Sequence, residues 1–235
     1  MAKRPVFIPE NNKISFVREL FIEFKWYPGF AKTQAQKSIV AMHLAAKDHG
    51  IDPILEISSK SQKRLGVELS AFNLMLKVEG HRPMSVECAF QGSKVFERGG
   101  PFTDLYVVTS IEAKKDSRLR NSGNVIRFSF IGEDFPSNPV TSFYDWLYLK
   151  ALNQNKDLAS QLLMYKGFTD IAFNPEKSLN CQARSAALFV ALNQIGEIDK
   201  VINDKKYYLK LITGRSGLSN ETPLPQQRRL FDLDP

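Results

Sequence analysis

Glycine and proline cut this chain into short pieces, and the pieces do not follow the strand–helix–strand rhythm of a parallel sheet. Pro28-Gly29 closes the first stretch, Gly80 to Pro83 marks a turn, Arg98-Gly99-Gly100-Pro101 is a firm stop, and Pro136 and Pro139 sit in a loop. Between the stops, apolar spacing changes repeatedly from strand-like to helical. The pattern predicts an α+β fold, a helix-rich single domain with small sheet elements. No internal repeat is present.

Runs at 6–8 and 14–26 read as strand, because Phe16, Leu20, Ile22, Phe24 and Trp26 partly alternate with polar residues. Residues 33–49 read as helix, with Thr33 as cap, Ala35, Ile39, Met42 and Ala46 at helical spacing, and Gly50 as stop. Short strands are predicted at 53–58 and 72–78, helices at 85–97 and 103–116, and a strand at 125–131. Helices at 141–153 and 156–165 follow, then an extended piece at 169–173. The helix predicted at 179–194 carries Leu179, Ala183, Ala186, Ala187 and Val190 on one face, small enough for close packing. Residues 205–212 read as an edge strand and 213–235 as a mobile tail. This divides the chain into an N-terminal extension packed on the core (1–60), the core (61–196), a strand-like segment (197–212) and a flexible tail (213–235).

Hydrophobic residues make up 43% of the chain, enough for a proper core. The formal net charge is +7, which favours a polyanionic ligand without specifying one. The two cysteines, Cys88 and Cys181, cannot form a disulfide framework and read as buried free thiols in a reducing compartment. There is no secretory pattern after Met1 and no apolar run of membrane-spanning length, so a cytoplasmic protein without membrane partners is expected. His43, His49 and His81 lie in unrelated contexts, which supports neither zinc nor a Ser–His–Asp arrangement. Phosphate-binding glycine motifs are absent too. No metal and no cofactor are expected.

The segment from Ser85 to Phe96 carries the most chemistry. On an α-helix of about 100° per residue, Glu87, Gln91 and Lys94 fall within about 60° of one another. A carboxylate, an amide and an ammonium then share one stripe, with Phe90 beside them. Taken alone, such a trio is usually a solvated face.

The surrounding residues resemble the NADAR family. Leu69, Ser70 and Phe72 match its LSNF-type segment, and Ser85, Glu87, Gln91, Lys94 and Phe96 match the helix that follows. Glu112-Ala113-Lys114-Lys115, the 158–163 stretch after Asn153-Gln154-Asn155, and Asn180 with the helix to Asn193 resemble later family segments. Ala71 stands where the family usually has Asn and Cys88 where it has His, Ala183-Arg184 stands near the usual Leu-Gly, and the family's Trp-Gly pair is missing. These departures, with the N-terminal residues, look like the subfamily found beside DarT-type toxins. The stretch Phe24-Lys25-Trp26-Tyr27-Pro28-Gly29-Phe30, followed by Gln34, Gln36 and Lys37, looks familiar in that subfamily, as does Asn180-Cys181-Gln182-Ala183-Arg184.

The resemblance implies an antitoxin enzyme that hydrolyses the N-glycosidic bond between ADP-ribose and guanine in DNA, releasing ADP-ribose, with a DarT-type toxin as a possible partner. The same motif residues also suit a small-molecule N-glycosidase of riboflavin or nucleotide metabolism, but the basic excess and the long N-terminal region favour the polymer substrate. A non-catalytic antitoxin that only binds its toxin is the third reading. In the enzyme readings Glu87 stabilises positive charge on the ribose or activates water, and Lys94 acts as acid or as imine former. Gln91 hydrogen-bonds ribose or base. Trp26 and Phe72 offer stacking faces, with Phe90 beside the stripe. Ser70 donates to phosphate or caps a turn. Lys37, Arg98, Lys114 and Arg184 are candidates for holding diphosphate or DNA backbone, and Asn180 joins them as a binding residue.

Overall fold

A computed structural model describes residues 1–11, 15–176 and 178–215. Ile14, and the Arg228-Arg229 pair in the 213–235 segment, lie outside the described residues.

The chain opens with strands β1 (Ala2–Pro9) and β2 (Val17–Phe24), paired antiparallel from Ala2↔Phe24 to Pro9↔Val17. Helix α1 (Lys32–Asp48) follows. It begins after Ala31, so Thr33 lies inside the first turn and caps nothing. Its apolar stripe of Ile39, Met42 and Ala46 is buried, and Gly50, at φ +77°, ends the turn where an L side chain would be strained. Then come β3 (Ile54–Glu56), α2 (Arg64–Glu68), β4 (Met75–Leu76), β5 (Met84–Ser85), α3 (Val86–Gly92) and β6 (Lys94–Phe96). A 3-10 turn at Thr103–Val107 leads to α4 (Ser110–Lys115), α5 (Arg118–Asn121), β7 (Val125–Phe130) and β8 (Glu133–Pro136). The last third holds α6 (Ser142–Gln154), α7 (Lys156–Leu162), β9 (Gly167–Thr169), α8 (Gln182–Gln194), α9 (Ile198–Asn203) and α10 (Lys205–Arg215). The fold is α+β, as the sequence pattern predicts.

One sheet has the order β2-β1-β9-β3, with β3 parallel to β9 and the other pairs antiparallel. The N-terminal strands therefore share one hydrogen-bonded layer with residues near 168, far along the chain. Gly167 permits this closeness, because a Cβ there would fall 2.7 Å from Ile51 and 3.1 Å from Val6. Helix α1 closes a small core on this layer, built from Val6, Ile22, Phe24, Ile39, Met42, Ile54 and Ile171. The larger core lies around α6 and α8. Ala183, Ala186, Ala187 and Ala191 are fully buried on α8 and let it approach α6, whose Phe143, Leu147 and Tyr148 are also fully buried. A three-stranded meander, β6-β7-β8, covers the far side through Phe128 and Phe135, which stack about Phe143.

Three readings of the sequence are corrected: residues 103–116 are a 3-10 turn at Thr103–Val107 followed by α4, with Val108 and Thr109 extended between them, not one helix. Residues 85–97 are not one helix: α3 ends at Gly92 and the chain turns into β6, where Lys94 pairs with Phe128 and Val95 with Arg127. A Cβ at Gly92 would meet the Tyr106 ring at 2.5 Å, so the helix ends where that ring packs. Residues 205–212 are helix, not edge strand. Asp204 accepts from the Tyr207 N–H at 2.9 Å as a cap, and Tyr208 is buried with its hydroxyl donating to the Ser142 carbonyl. The extended piece near 169 lies at Gly167–Thr169, and the strands near 54 and 75 are shorter than predicted. Among the described residues, no helix is long and apolar enough to cross a membrane.

Candidate active site

Helix α3 is short, buried along its whole length, and started by Ser85, whose hydroxyl accepts from the Cys88 N–H at 3.1 Å. Glu87 sits in its first turn and Gln91 one turn later. That spacing brings the Gln91 amide N–H to the Glu87 carboxylate at 2.9 Å. The Gln91 carbonyl oxygen is buried without a hydrogen-bond partner among the described residues. Such an acceptor is costly unless something else completes it.

Lys94 follows at the start of β6 and is only 1% exposed. Its Nζ lies 4.6 Å from the centroid of the Phe90 ring, an arrangement that stabilises a cation. Burial pulls the Lys94 ammonium down to about 8, the nearby Lys114 charge pulls the same way, and Glu87 opposes both. The backbone of Lys94 is clamped from the other side. Gly100, at φ +82°, packs so closely on the Lys94 carbonyl that a Cβ there would collide with it. Tyr144 of α6 meets the Phe90 ring edge-on at 5.1 Å, and Glu87 helps keep its phenol protonated, second to burial. Lys114, half-buried on α4, lies 5.1 Å from the centroid of the Phe72 ring.

A second polar cluster holds this one in place. The Glu87 N–H donates to the Ala71 carbonyl at 2.9 Å. The Ala71 N–H donates to the Gln182 side-chain oxygen at 2.7 Å, and the Gln182 amide donates to the Ile57 carbonyl and to Asp170 at 2.7 and 3.0 Å. Beyond Asp170 lies buried Glu56, which accepts from Ser58, Thr169 and the Ile171 N–H. Burial first, and then the Asp170 charge, pushes the Glu56 carboxyl well above its ordinary value, and burial raises Asp170 as well.

The arrangement unites a buried carboxylate, an amide and a buried amine of lowered basicity. That combination can stabilise a cationic ribosyl centre and pass a proton. A family model described as the DarT1-associated NADAR antitoxin matches residues 2–222. The chain belongs to this family. No curated protein matches the chain.

Within this NADAR chain the predicted residues separate into groups. Glu87, Gln91, Lys94 and Phe90 lie together, with Lys114 close enough for its charge to act on Lys94 and Phe72 under the Lys114 ammonium. Phe90 is a core ring here, packed against Phe128, Phe143 and Tyr144. The Ser70 hydroxyl donates to the Val67 carbonyl at 2.8 Å, so it closes a local turn. Asn180 precedes α8, with its side-chain oxygen buried and unpartnered among the described residues. Arg184 donates to Asp145 at 2.6 Å, with Glu19 at 4.0 Å, so its guanidinium is committed to an ion pair. Arg98 donates to the Asn121 carbonyl. Trp26 and Lys37 belong to the β2–α1 end of the molecule, Trp26 packing on Phe24 and under Arg4. Cys88, at the family's usual His position, is buried and donates its thiol to the Val108 carbonyl.

Sequence reasoning passed over Tyr144, Glu56, Asp170 and the bridging role of Gln182. Two surface clefts, of about 380 Å³ beside Arg82 and Tyr106 and about 290 Å³ beside His43 and Glu56, are lined by neither Glu87 nor Lys94.

Proposed function

We propose that this protein removes ADP-ribose from guanine bases in DNA by hydrolysing the N-glycosidic bond, and so acts as antitoxin to a DarT-type ADP-ribosyltransferase. Membership of the DarT1-associated NADAR antitoxin family supports the antitoxin role. The observation that carries the chemistry is Lys94, a buried amine with its pKa lowered to about 8 next to the Glu87–Gln91 pair.

Breaking this bond leaves positive charge on the ribose and negative charge on the departing guanine nitrogen. In this reading Glu87 stabilises the first or takes a proton from attacking water. Lys94 has two roles open to it. As an acid, its ammonium gives a proton to the leaving nitrogen; Glu87 takes one from water, and the water oxygen bonds to the anomeric carbon. As an imine former, the neutral amine adds to the anomeric carbon of the ring-opened, guanine-linked iminium, the guanine nitrogen leaves carrying a proton, and water then hydrolyses the Lys94 imine to release ADP-ribose and the free amine. Burial lowers the Lys94 pKa to about 8, so its ammonium gives up a proton more readily than that of an exposed lysine. Gln91 has no useful acidity, and its unpartnered oxygen suits a ribose hydroxyl or base N–H.

The test is to incubate the purified protein with an oligonucleotide bearing ADP-ribose on guanine and to read the products by mass spectrometry. Free ADP-ribose and restored guanine are expected, with a loss of about a hundredfold or more in Glu87→Gln and Lys94→Ala. Borohydride added during turnover separates the two roles of Lys94, because only an imine becomes a stable adduct. Full activity in both variants would falsify this assignment of the site.

A further inference from the structure

Four of the seven tyrosines are buried: Tyr106, Tyr144, Tyr148 and Tyr208. A buried phenol ordinarily finds a hydrogen-bond partner, because it has given up water to be there. Three of the four follow that rule. The Tyr148 hydroxyl donates to the Leu69 carbonyl at 2.8 Å, Tyr208 donates to the Ser142 carbonyl at 2.9 Å, and Tyr106 shares a hydrogen bond with the Ser93 hydroxyl at 2.9 Å. Tyr144 lies one helical turn before Tyr148 on α6 and is only 6% exposed, yet among the described residues none hydrogen-bonds its hydroxyl.

Its position ties it to the candidate site. Tyr144 stands edge-on to the Phe90 ring with centroids 5.1 Å apart, and the Lys94 Nζ lies 4.6 Å from the centroid of the same ring. Tyr144 and Lys94 therefore both border Phe90, and the Glu87 charge acts on both. Burial first, and then Glu87, keeps the phenol protonated, so it remains a donor over the working pH range.

The imine route leaves a task for such a donor. Lys94 must attack as the neutral amine, so it cannot also be the acid that opens the sugar. Gln91 has no useful acidity, and Glu87 answers the positive charge. Opening the ribose breaks the bond between the anomeric carbon and the ring oxygen, and the electron pair left on that oxygen needs a proton.

We propose that Tyr144 is the acid that opens the ribose ring, its hydroxyl donating to the ring oxygen. This rests on the reading of the site as one that cleaves a ribose–guanine bond, and it selects the imine route for Lys94. The guanine nitrogen directs its lone pair to the anomeric carbon, the carbon–oxygen bond breaks, and the ring oxygen takes the Tyr144 proton. Lys94 adds to the same carbon, and guanine leaves with a proton from the Lys94 nitrogen. Hydrolysis of the imine leaves Lys94 as an ammonium, and that proton restores Tyr144. With Lys94 as acid the ring stays closed and its oxygen shares the positive charge, so a donor at that oxygen would oppose the reaction.

The test uses free ADP-ribose, whose hemiacetal must open at the same bond before an amine can react. Protein is incubated with ADP-ribose and cyanoborohydride, and peptide mass spectrometry follows the reduced adduct at Lys94, with Lys94→Ala marking reaction at other lysines. Tyr144→Phe keeps the ring against Phe90 and removes a hydroxyl that no described residue uses, so its melting temperature is expected to match wild type. Its Lys94 adduct is expected to form about tenfold more slowly, and release of ADP-ribose from the modified oligonucleotide to slow alike. Equal rates of adduct formation in Tyr144→Phe and wild type overturn the proposal, as does the absence of a Lys94 adduct in wild type. A deficit that disappears at saturating ADP-ribose makes Tyr144 a binding residue only and overturns the acid role. Slowed adduct formation in the variant, with no release from DNA by wild type, supports Tyr144 and defeats the DNA reading alone. Release from DNA that Tyr144→Phe leaves unchanged defeats Tyr144 alone.

Discussion

Two buried polar clusters stand back to back in this molecule, and they spend their hydrogen bonds differently. Around Glu56, Asp170 and Gln182 the capacity is used up. Glu56 receives two hydroxyls and a backbone N–H, and Gln182 uses both ends of its amide on Ile57, Asp170 and Ala71. In the second cluster capacity remains at Gln91, whose side-chain oxygen has no hydrogen-bond partner among the described residues. A saturated network fixes geometry. An unsaturated one carries a cost that binding can recover, which is where chemistry is to be sought. The first cluster reads as the frame and the second as the working face.

Removing Glu56 breaks that comparison hardest. Glu56→Ala leaves the Ile171 N–H and two hydroxyls without their acceptor, at about 3 kcal/mol or more. A fall in melting temperature of roughly 6–12 °C is expected by calorimetry. The pH dependence follows from the raised pKa. Folded protein holds the Glu56 proton at pH values where the unfolded chain has already lost it, so the folded state binds more protons. This group's stability is therefore fully present at low pH and is lost as pH rises through the raised value. Glu56→Gln mimics the protonated form in shape but cannot titrate, so its melting temperature should decline less than wild type's between pH 5 and pH 8. An identical slope in both proteins would remove Glu56 as the cause.

Gln182 joins the two clusters, so its replacement should damage both, each less severely. Gln182→Ala strips the Ala71 N–H of its acceptor and loosens the carbonyl that holds Glu87, costing about 2 kcal/mol of stability. If Glu87 acts as proposed, its displacement by a fraction of an ångström is expected to lower kcat about tenfold, with KM nearly unchanged. Gln182→Glu preserves the acceptor for Ala71 but sets a second carboxylate against Asp170. Its kcat should therefore recover only at acidic pH, where one of the two is protonated. A loss of stability without any change in kcat would make Gln182 a purely structural residue.

How far this division is legible in the sequence depends on the range of the contacts. Ile39, Met42 and Ala46 reveal α1 because their spacing is local, and the alanines of α8 do the same. Glu87 and Gln91 are readable as partners because one helical turn separates them. Lys94 is a different matter. A continuous helix would set it on the same stripe, but it comes within range of the Glu87 charge from β6, whose existence depends on pairing with β7 well down the chain. The frame was invisible because Glu56, Asp170 and Gln182 meet only through the parallel pairing of β3 with β9 and the packing of α8. The segment 205–212 misled because Leu209-Lys210-Leu211 alternates and its paired tyrosines suit a strand as well as a helix. The Asp204 cap and the burial of Tyr208 decide for helix.

The finest test of the working face leaves its buried groups untouched. Lys114 is half-buried on α4, and its charge is one of two influences that hold the Lys94 ammonium below its ordinary range, burial being the larger. Lys114→Gln removes that repulsion while burial remains, so the Lys94 pKa should rise. If Lys94 acts as the acid, activity falls as pH climbs through about 8 in wild type, and the fall moves to higher pH in the variant. If Lys94 acts as the nucleophile, activity instead rises through that range, and the rise moves to higher pH. Either direction of the limb identifies the role, and its displacement identifies Lys94 as the titrating group. A pH–rate profile unchanged by Lys114→Gln would show that another group controls the reaction, and the buried amine would then belong to the frame.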